Sequence, residues 1–410
     1  MVPKVKVSAD LMSGDVDERY GKVADAFRRN LSSGQEVGAA FAVYRDGRKV
    51  VDLWGGFRNG VTMAPWQHDT VVNVFSTTKG VAALAVALAA SRGLLSYDAK
   101  VADYWPEFAQ AGKDTVTVRQ LLSHQAGLSA IKPPLTLTDL AEPTRMSPKL
   151  AAQAPAWTPG TRHGYHGWTL GWYEAELIRR VDPAGRTLGR FFSDEIAEPL
   201  GLDFCIGLPT SVNRDRVAHL HMWSPYKMLL HLNTMSPAFV LSGLLNPLGL
   251  PARSCRIAKG FRVPQDFNRE EVRVLEIPSG GGIGTARSIA KLYGSAATGG
   301  ADIGLTPAIL DALTKPPISP TRGLRDKVFL VDTSYSLGFA RPIPEKLAFG
   351  SSDKAFGTPG LGGSFGFADP DTGIGYSYAM NKLGFHAIDP RESALRKALF
   401  EDVLGSRPQS

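Results

Sequence analysis

The order of elements along the chain predicts a mixed α/β fold of the α+β kind. An antiparallel β-sheet flanked by helices would be built from both chain ends, with a mostly helical domain inserted between them. Three observations predict it. Both ends carry β-rich runs punctuated by turn signals, the middle reads as helices broken by prolines, and one helix near residue 80 is apolar on every side. These place the sheet domain at 1–80 and 281–410 and the helical domain at 81–280.

The first element is a hairpin. Two β-rich runs within 38–56 flank Arg45-Asp46-Gly47, and Asp-Gly is a tight-turn signal. A short β-branched run follows at 71–75. It leads through Ser76 into 79–90, which is Ala, Leu and Val with no polar face. A helix apolar all round is a buried helix, and Arg92-Gly93 supplies its stop.

Segments 116–124 and 170–181 read as further helices, and prolines at 133, 134, 143, 148, 155 and 159 mark an irregular stretch between them. Segment 221–250 is apolar but broken by Pro225, Pro237 and Pro247; it is either core or an apolar flap over a site. Toward the end, 333–343, 362–370 and 373–382 read as strands, with Asp369-Pro370-Asp371-Thr372-Gly373 turning between the last two. A helix over 391–404 closes the chain.

Composition narrows the function. Hydrophobic side chains at 43% and charged ones at 21% are globular proportions, which excludes wholesale disorder. Two cysteines, Cys205 and Cys255, exclude a disulfide framework and a four-cysteine zinc site. The net charge of +7 is spread along the chain without a basic run, which argues against a nucleic-acid partner. The longest apolar run, 81–90, is too short to span a bilayer as a helix. The first residues lack the apolar stretch of a signal peptide, so the expectation is a cytoplasmic protein with no stable membrane insertion. The oligomeric state is left open.

Ser76-Thr77-Thr78-Lys79 fits S-x-x-K. On a helix, positions i and i+3 share a face, so the amine can reach the hydroxyl. A serine needs a base to take its proton, and a desolvated lysine of lowered pKa is one. The spacing alone does not choose, because it recurs at Ser224/Lys227, Ser288/Lys291 and Ser351/Lys354. Only Ser76 opens an apolar helix in which a buried lysine needs a reason to exist. A helix cap is the plainer reading of Ser76. Ser288/Lys291 is expected on a solvated helix face.

Other motifs carry less. Gly362-Gly363-Ser364-Phe365-Gly366 fits G-x-S-x-G but lies in a β-like run rather than a strand–turn–helix elbow. Gly280-Gly281-Gly282-Ile283-Gly284 lacks a βαβ setting and reads as a loop before a helix. His163/His166 and His219/His221 lack acidic or cysteine neighbours that would complete a metal set, so no metal is expected.

Four segments together resemble a known family: VFSTTKG (74–80), VTVRQLLSHQAGL (116–128), WTPGTRHGYHGWTLGW (157–172) and FGTPGLGGSFGFADP (356–370). In this order they resemble the serine β-lactamase-like hydrolases, and within them the family VIII carboxylesterases, similar in fold to class C β-lactamases and DD-peptidases. The resemblance spans roughly residues 15 to 405. It implies Ser76 as the acylated nucleophile, Lys79 as its motif partner, and Tyr165 as a general base with Lys79. The backbone N–H groups of Ser76 and Leu361 would form an oxyanion hole. Thr358, Gly360, Gly362 and His166 would contact substrate.

Thr358-Pro359-Gly360 matches the family's third motif, which would line the site from an edge strand. Two departures bear on substrate. Thr358 stands where that motif has Lys or His, and Gly167 stands where β-lactamases have Asn. Both missing groups help hold a β-lactam, so the resemblance with these changes implies neutral, apolar esters. Arg162 or His163 is a candidate for the missing charge. A tyrosine base would need its pKa lowered by nearby positive charge, which Lys79 could supply. The expectation is a cofactor-free serine hydrolase acting on small-molecule carboxylic esters of short to medium acyl chains. An acyltransferase on the same machinery, an amidase or weak β-lactamase, and a catalytically silent scaffold remain as alternatives.

Overall fold

A computed structural model describes residues 7–132, 134–222, 236–344 and 346–406. The hairpin forms as expected. Strands Gly38–Arg45 and Arg48–Asn59 pair antiparallel around Asp46 (φ 50°) and Gly47 (φ 75°). Two consecutive positive φ angles are what a two-residue turn needs to follow the right-handed twist of its strands.

Strand Gly38–Arg45 also pairs with Ile374–Met380, so the two chain ends meet in mid-sheet. From one edge the order is Met12–Val16, Arg48–Asn59, Gly38–Arg45, Ile374–Met380, Phe365–Asp369, Phe356–Pro359, Phe339–Ala340 and Tyr335–Ser336. Every pairing in it is antiparallel. Successive side chains of a strand face opposite ways. Gly375 faces helix Ala286–Ala297, which comes so close that a Cβ on Gly375 would lie 2.1 Å from the Gly294 nitrogen. Tyr376 faces the other way, where its hydroxyl donates to Glu392 Oε1 on helix Pro390–Lys397 at 2.9 Å. Helices therefore cover both faces of the sheet.

The apolar segment is helix Thr77–Ser91, buried throughout from Thr77 to Ala90, and Gly93 (φ 72°) follows it. Helices Val118–Leu122 and Thr169–Val181 occupy the positions read from the sequence. The predicted closing helix is α-helical over Pro390–Lys397 and widens to π-helical turns over Ala398–Val403.

The structure corrects several readings. Segment 333–343 is a small hairpin, Tyr335–Ser336 and Phe339–Ala340, turning at Leu337 (φ 51°) and Gly338 (φ 92°). A leucine in a left-handed conformation is uncommon, which hides the turn. That hairpin lies beyond Phe356–Pro359, so the third motif is not on the sheet's edge. Gly282–Gly284 is a strand, central in a small sheet with Val72–Asn73 and Phe204–Ile206. A Cβ on Gly282 would lie 2.6 Å from Thr78 Oγ1, so these glycines admit the start of the buried helix. Strand Met12–Val16 had no sequence signal, since its exposed pattern lacks alternating apolar residues.

One buried ionic cluster anchors the sheet end nearest the third motif. The Arg391 guanidinium donates to Glu36 Oε2 at 2.9 Å, to Asp389 Oδ2 at 2.7 Å and to the Gly362 carbonyl at 3.0 Å. Glu36 is fully buried and also accepts the Tyr378 hydroxyl. Arg391→Met should cost about 3–5 kcal/mol, because it strands two buried carboxyls without their cation. Urea unfolding of wild type and variant measures this, and a loss below about 1 kcal/mol would contradict it.

Candidate active site

The chain approaches Ser76 through strand Val72–Asn73 and a sharp turn at Phe75, whose φ is 46°. A bulky residue held there is strained. The turn is held by Asn73, whose Oδ1 accepts from the Phe75 N–H at 3.2 Å while its Nδ2 donates to the Gly280 carbonyl at 3.1 Å. Ser76 then occupies the N-cap position of helix Thr77–Ser91, yet its side chain makes no capping bond. The plainer reading of Ser76 as a cap therefore does not hold, and the hydroxyl is left to the partly exposed surface.

The two threonines behind it fasten the helix start. Thr78 Oγ1 accepts from the Gly282 N–H at 2.9 Å and donates to the Phe75 carbonyl at 2.5 Å. Thr77 Oγ1 lies 3.1 Å from Ser364 Oγ, which donates to the Val74 carbonyl at 2.8 Å. Ser364, the rival serine, is thus buried and engaged in holding the segment that carries Ser76.

Lys79 is fully buried. Its Nζ lies 3.1 Å from Ser76 Oγ, 2.7 Å from the Gly167 carbonyl and 2.8 Å from the Ser279 carbonyl. Burial lowers its pKa to about 7, opposed by the charge of Glu174. A neutral amine has two N–H bonds and one lone pair. The two carbonyls can only accept, so they take both N–H bonds and leave the lone pair for the Ser76 hydroxyl. The protonated amine fits the same three acceptors, so a proton can move between Ser76 and Lys79 without rearrangement.

Tyr165 is half-buried beside them, with Lys79 Nζ 4.9 Å from its ring centre. Burial pushes its phenol up to about 12 against the pull of the Ser76 hydroxyl, and the charge of Asp326 adds to the rise. This reverses the sequence-based expectation of a lowered tyrosine pKa, because the lysine that was to lower it is itself held near neutrality. Asp326 fixes Tyr165 in place. Its Oδ2 accepts the Tyr165 N–H at 2.9 Å, and its Oδ1 accepts the N–H groups of Val328 and Phe329 at 2.6 and 2.8 Å. The Tyr165 ring stacks on Phe329 at 4.8 Å, and Phe239 meets Phe329 at 6.0 Å. Helix Pro237–Leu245, part of the flap candidate, is therefore next to the site, while 223–235 of that segment and the Ser224/Lys227 pair lie outside the described residues.

The third motif crosses close to Ser76. A Cβ on Gly360 would lie 2.4 Å from the Val74 carbonyl and 2.9 Å from Thr77 Oγ1, so glycine is required for this approach. Leu361 is the next residue along this crossing. Among the described residues, neither the Ser76 nor the Leu361 backbone N–H has a hydrogen-bond acceptor.

Three expected substrate contacts point elsewhere. His166 is fully buried, and its Nε2 accepts the Leu128 N–H at 3.0 Å while its Nδ1 lies 2.9 Å from His124 Nδ1. With Nε2 an acceptor, the proton sits on Nδ1 and points at His124, so the ring is a strut rather than a ligand group. Thr358 is 4% exposed, and its hydroxyl lies against Gly80 and Tyr293, one turn of the helix beyond Ser76. Gly362 is a turn residue (φ 87°) against Leu383, with its carbonyl held by Arg391.

The candidates for a replacement charge are engaged too. His163 is buried with Nδ1 3.2 Å from the Ser123 carbonyl, and Arg162 donates to the Arg322 carbonyl. The remaining S-x-x-K pairs do not meet as serine and lysine. Ser288 is buried, not solvated, and accepts the Asp203 N–H at 2.8 Å, while Lys291 donates to the Leu200 carbonyl at 2.6 Å. Lys354 pairs with Asp371 at 2.8 Å. Among the described residues, no cluster of His, Cys, Asp and Glu could hold a metal, and no helix is long and apolar enough to cross a membrane.

Sequence reasoning missed the Gly167 and Ser279 carbonyls, Asp326 and Glu174. The carbonyls have no sequence signature. Asp326 offered one weak signal, an acidic residue in a loop whose carboxyl can cap its own following N–H groups.

Comparison with known proteins shows the family and the fold. The family described as Beta-lactamase matches residues 23–399. An esterase/beta-lactamase, LipL, from Mycobacterium tuberculosis is 33% identical over 90% of this chain and 83% of its own length. The crystal structure of a family VIII carboxylesterase is 38% identical, with a TM-score of 0.79 over 94% of this chain and 98% of that one. A penicillin-binding protein homologue from Caulobacter crescentus is 40% identical, with a TM-score of 0.79 over the same shares.

Gly360→Ala tests the close approach. Its Cβ has no room, so the motif should shift away from Ser76 and slow its modification by a fluorophosphonate at least ~10-fold, with far-UV circular dichroism unchanged. An unchanged rate would detach this turn from the site.

Proposed function

The chain belongs to the beta-lactamase family, and from that premise we propose that it is a carboxylesterase working through an acyl-enzyme on Ser76. One observation carries the proposal. A fully buried lysine, held by two carbonyls, has its remaining valence aimed at a serine hydroxyl that caps nothing.

In the acylation step Lys79 takes the Ser76 proton as Oγ bonds to the ester carbonyl carbon. The tetrahedral oxygen takes its negative charge between the Ser76 and Leu361 N–H groups, near the positive end of helix Thr77–Ser91. The C–O bond to the leaving alcohol then breaks. Its alkoxide takes the Tyr165 phenolic proton, and the proton held by Lys79 passes to Tyr165. A water attacks the acyl-enzyme by the same transfers in reverse and frees the acid. Tyr165, held protonated by burial, is the donor of this relay, and Lys79 is its base.

The surroundings favour neutral esters. Gly167 offers no side chain, Thr358 faces inward, and Arg162 and His163 are bound elsewhere. The accessible walls near Tyr165 include Phe329 and Phe239, which suit an acyl chain of short to medium length. Opening of a β-lactam on the same serine is the second reading, favoured by the name of the Mycobacterium tuberculosis relative. Loss of the two β-lactam-holding groups makes it the slower reaction.

Ester turnover with p-nitrophenyl esters of graded length, and fluorophosphonate labelling mapped by mass spectrometry, test the proposal. Label is expected on Ser76 and not on Ser364. Ser76→Ala should abolish turnover, and Lys79→Ala and Tyr165→Phe should each cost at least ~10²-fold. Products formed with an added alcohol separate hydrolysis from acyl transfer. Near-wild-type rates in any of the three variants would remove that residue from the mechanism.

The pH dependence follows from the lysine. Only neutral Lys79 can accept the proton, so kcat/KM should rise with pH through about 7 and then level off. Burial holds His163 near 4 and His166 near 3, which leaves neither to titrate in that range. A rate still climbing above about pH 9 would point to tyrosinate as the base instead.

A further inference from the structure

We propose that Glu174 is the counter-charge of Lys79, the buried carboxyl that offsets the ammonium formed when Lys79 takes the Ser76 proton. This rests on the acyl-enzyme reading above and adds a residue that no motif contains. Glu174 lies in helix Thr169–Val181, is fully buried, and has no hydrogen-bond partner on either carboxyl oxygen among the described residues. Such a carboxyl costs stability, so its place in the core needs a reason.

Its position supplies one. A Cβ built on Gly338 would fall 3.2 Å from Glu174 Oε1 and 2.5 Å from Ala83 Cβ, so the carboxyl sits against the Ala83 turn of helix Thr77–Ser91. Ala83 is four residues beyond Lys79, on the same helix face. The carboxyl is therefore set about one turn further along the helix than Lys79, and Ser76 about one turn before it.

The titratable groups around this pair are few. Glu174 acts electrostatically on Lys79 and Tyr97, and Arg119 covers the Tyr97 ring. Lys79 in turn acts on His124 and His166 and lies over Tyr165, behind which stands Asp326. Burial keeps the two imidazoles uncharged and raises both phenols far above neutrality. Lys79 and Glu174 are left as the groups that change near pH 7. Burial raises Glu174 and lowers Lys79, and each charge favours the other, so the pair moves between two neutral groups and an ion pair. With the carboxylate present, a proton arriving on Lys79 creates a neutral pair instead of an isolated buried cation.

Glu174 acts through Lys79 and is a positioning residue for charge, so its test is a pH profile. The rate of fluorophosphonate modification of Ser76 is followed from about pH 5 to 9 in wild type, Glu174→Gln and Glu174→Met. Thermal unfolding of each protein is measured alongside. Without the carboxylate Lys79 is a weaker base. Both variants should move the rising limb to lower pH by about one unit and lower its plateau at least ~3-fold. Glu174→Met should also melt at or above the wild-type temperature, since it replaces an unpartnered carboxyl with an apolar chain.

A limb and plateau unchanged in both variants would overturn the proposal, as would failure of both to fold, which would make Glu174 structural. A wild-type protein that takes no label on Ser76 would instead overturn the functional reading itself.

Discussion

The amine of Lys79 makes the strictest demand on this structure. An ammonium-sized group taken wholly out of water costs several kcal/mol unless its hydrogen-bonding capacity is met and its charge is offset or given up. Here two backbone carbonyls, Gly167 and Ser279, come from segments far apart in sequence, and both must reach one atom. The loop after Tyr165 and the turn before strand Gly282–Gly284 are therefore docked on the same turn of helix Thr77–Ser91. Meeting the lysine's needs and assembling the site are one event in folding.

The close approaches around Ser76 follow from that convergence. Three chain segments crowd the first turn of the helix, and each presents a glycine or a small hydroxyl where it touches. Gly360 lets the third motif lie on Val74 and Thr77, and Gly282 lets the small sheet lie on Thr78. The strained Phe75 is the point where these requirements conflict with local preference. It is held by the Asn73 side chain and by edge-on packing against Phe267 at 5.2 Å. Strain concentrated beside a reactive group, with the surrounding contacts fixing it, keeps the serine hydroxyl outward and uncommitted.

Much of this was legible in the sequence, and the boundary is physical. Asp46-Gly47 named its own turn because both residues tolerate positive φ, and the helix after Ser76 named its burial through the absence of a polar face. Ser76, Lys79 and Tyr165 were found from helical spacing and family motifs, and the structure brings them together. His166 and Thr358 were misplaced for different reasons. His166 directly follows Tyr165 and turns into the core toward His124. Thr358 shares the helix-facing side of its strand with Gly360, but it meets the helix at Gly80 beside Tyr293, one turn beyond Ser76. The Leu337-Gly338 turn and the three-residue strand Gly282–Gly284 were too short, or too unusual in residue type, to leave a periodic signal. Glu174 was hidden by its helix, where a charged residue among apolar ones reads as the solvent side.

The order of the two pKa values decides how the proton travels. A tyrosinate base would require the phenol to ionise before the ammonium, which needs a persistent cation beside it. The structure supplies the reverse. Burial disfavours charge on both groups, and for an amine that means a lower pKa while for a phenol it means a higher one. Lys79 falls to about 7 and Tyr165 rises to about 12, so the neutral amine and the neutral phenol coexist above about pH 7. In that state each group already holds the form its task needs: a free lone pair on the amine to accept and an O–H on the phenol to donate. On the proposed mechanism, desolvation is the larger cause of this order, and it acts without any cation of the kind that the third motif lacks here.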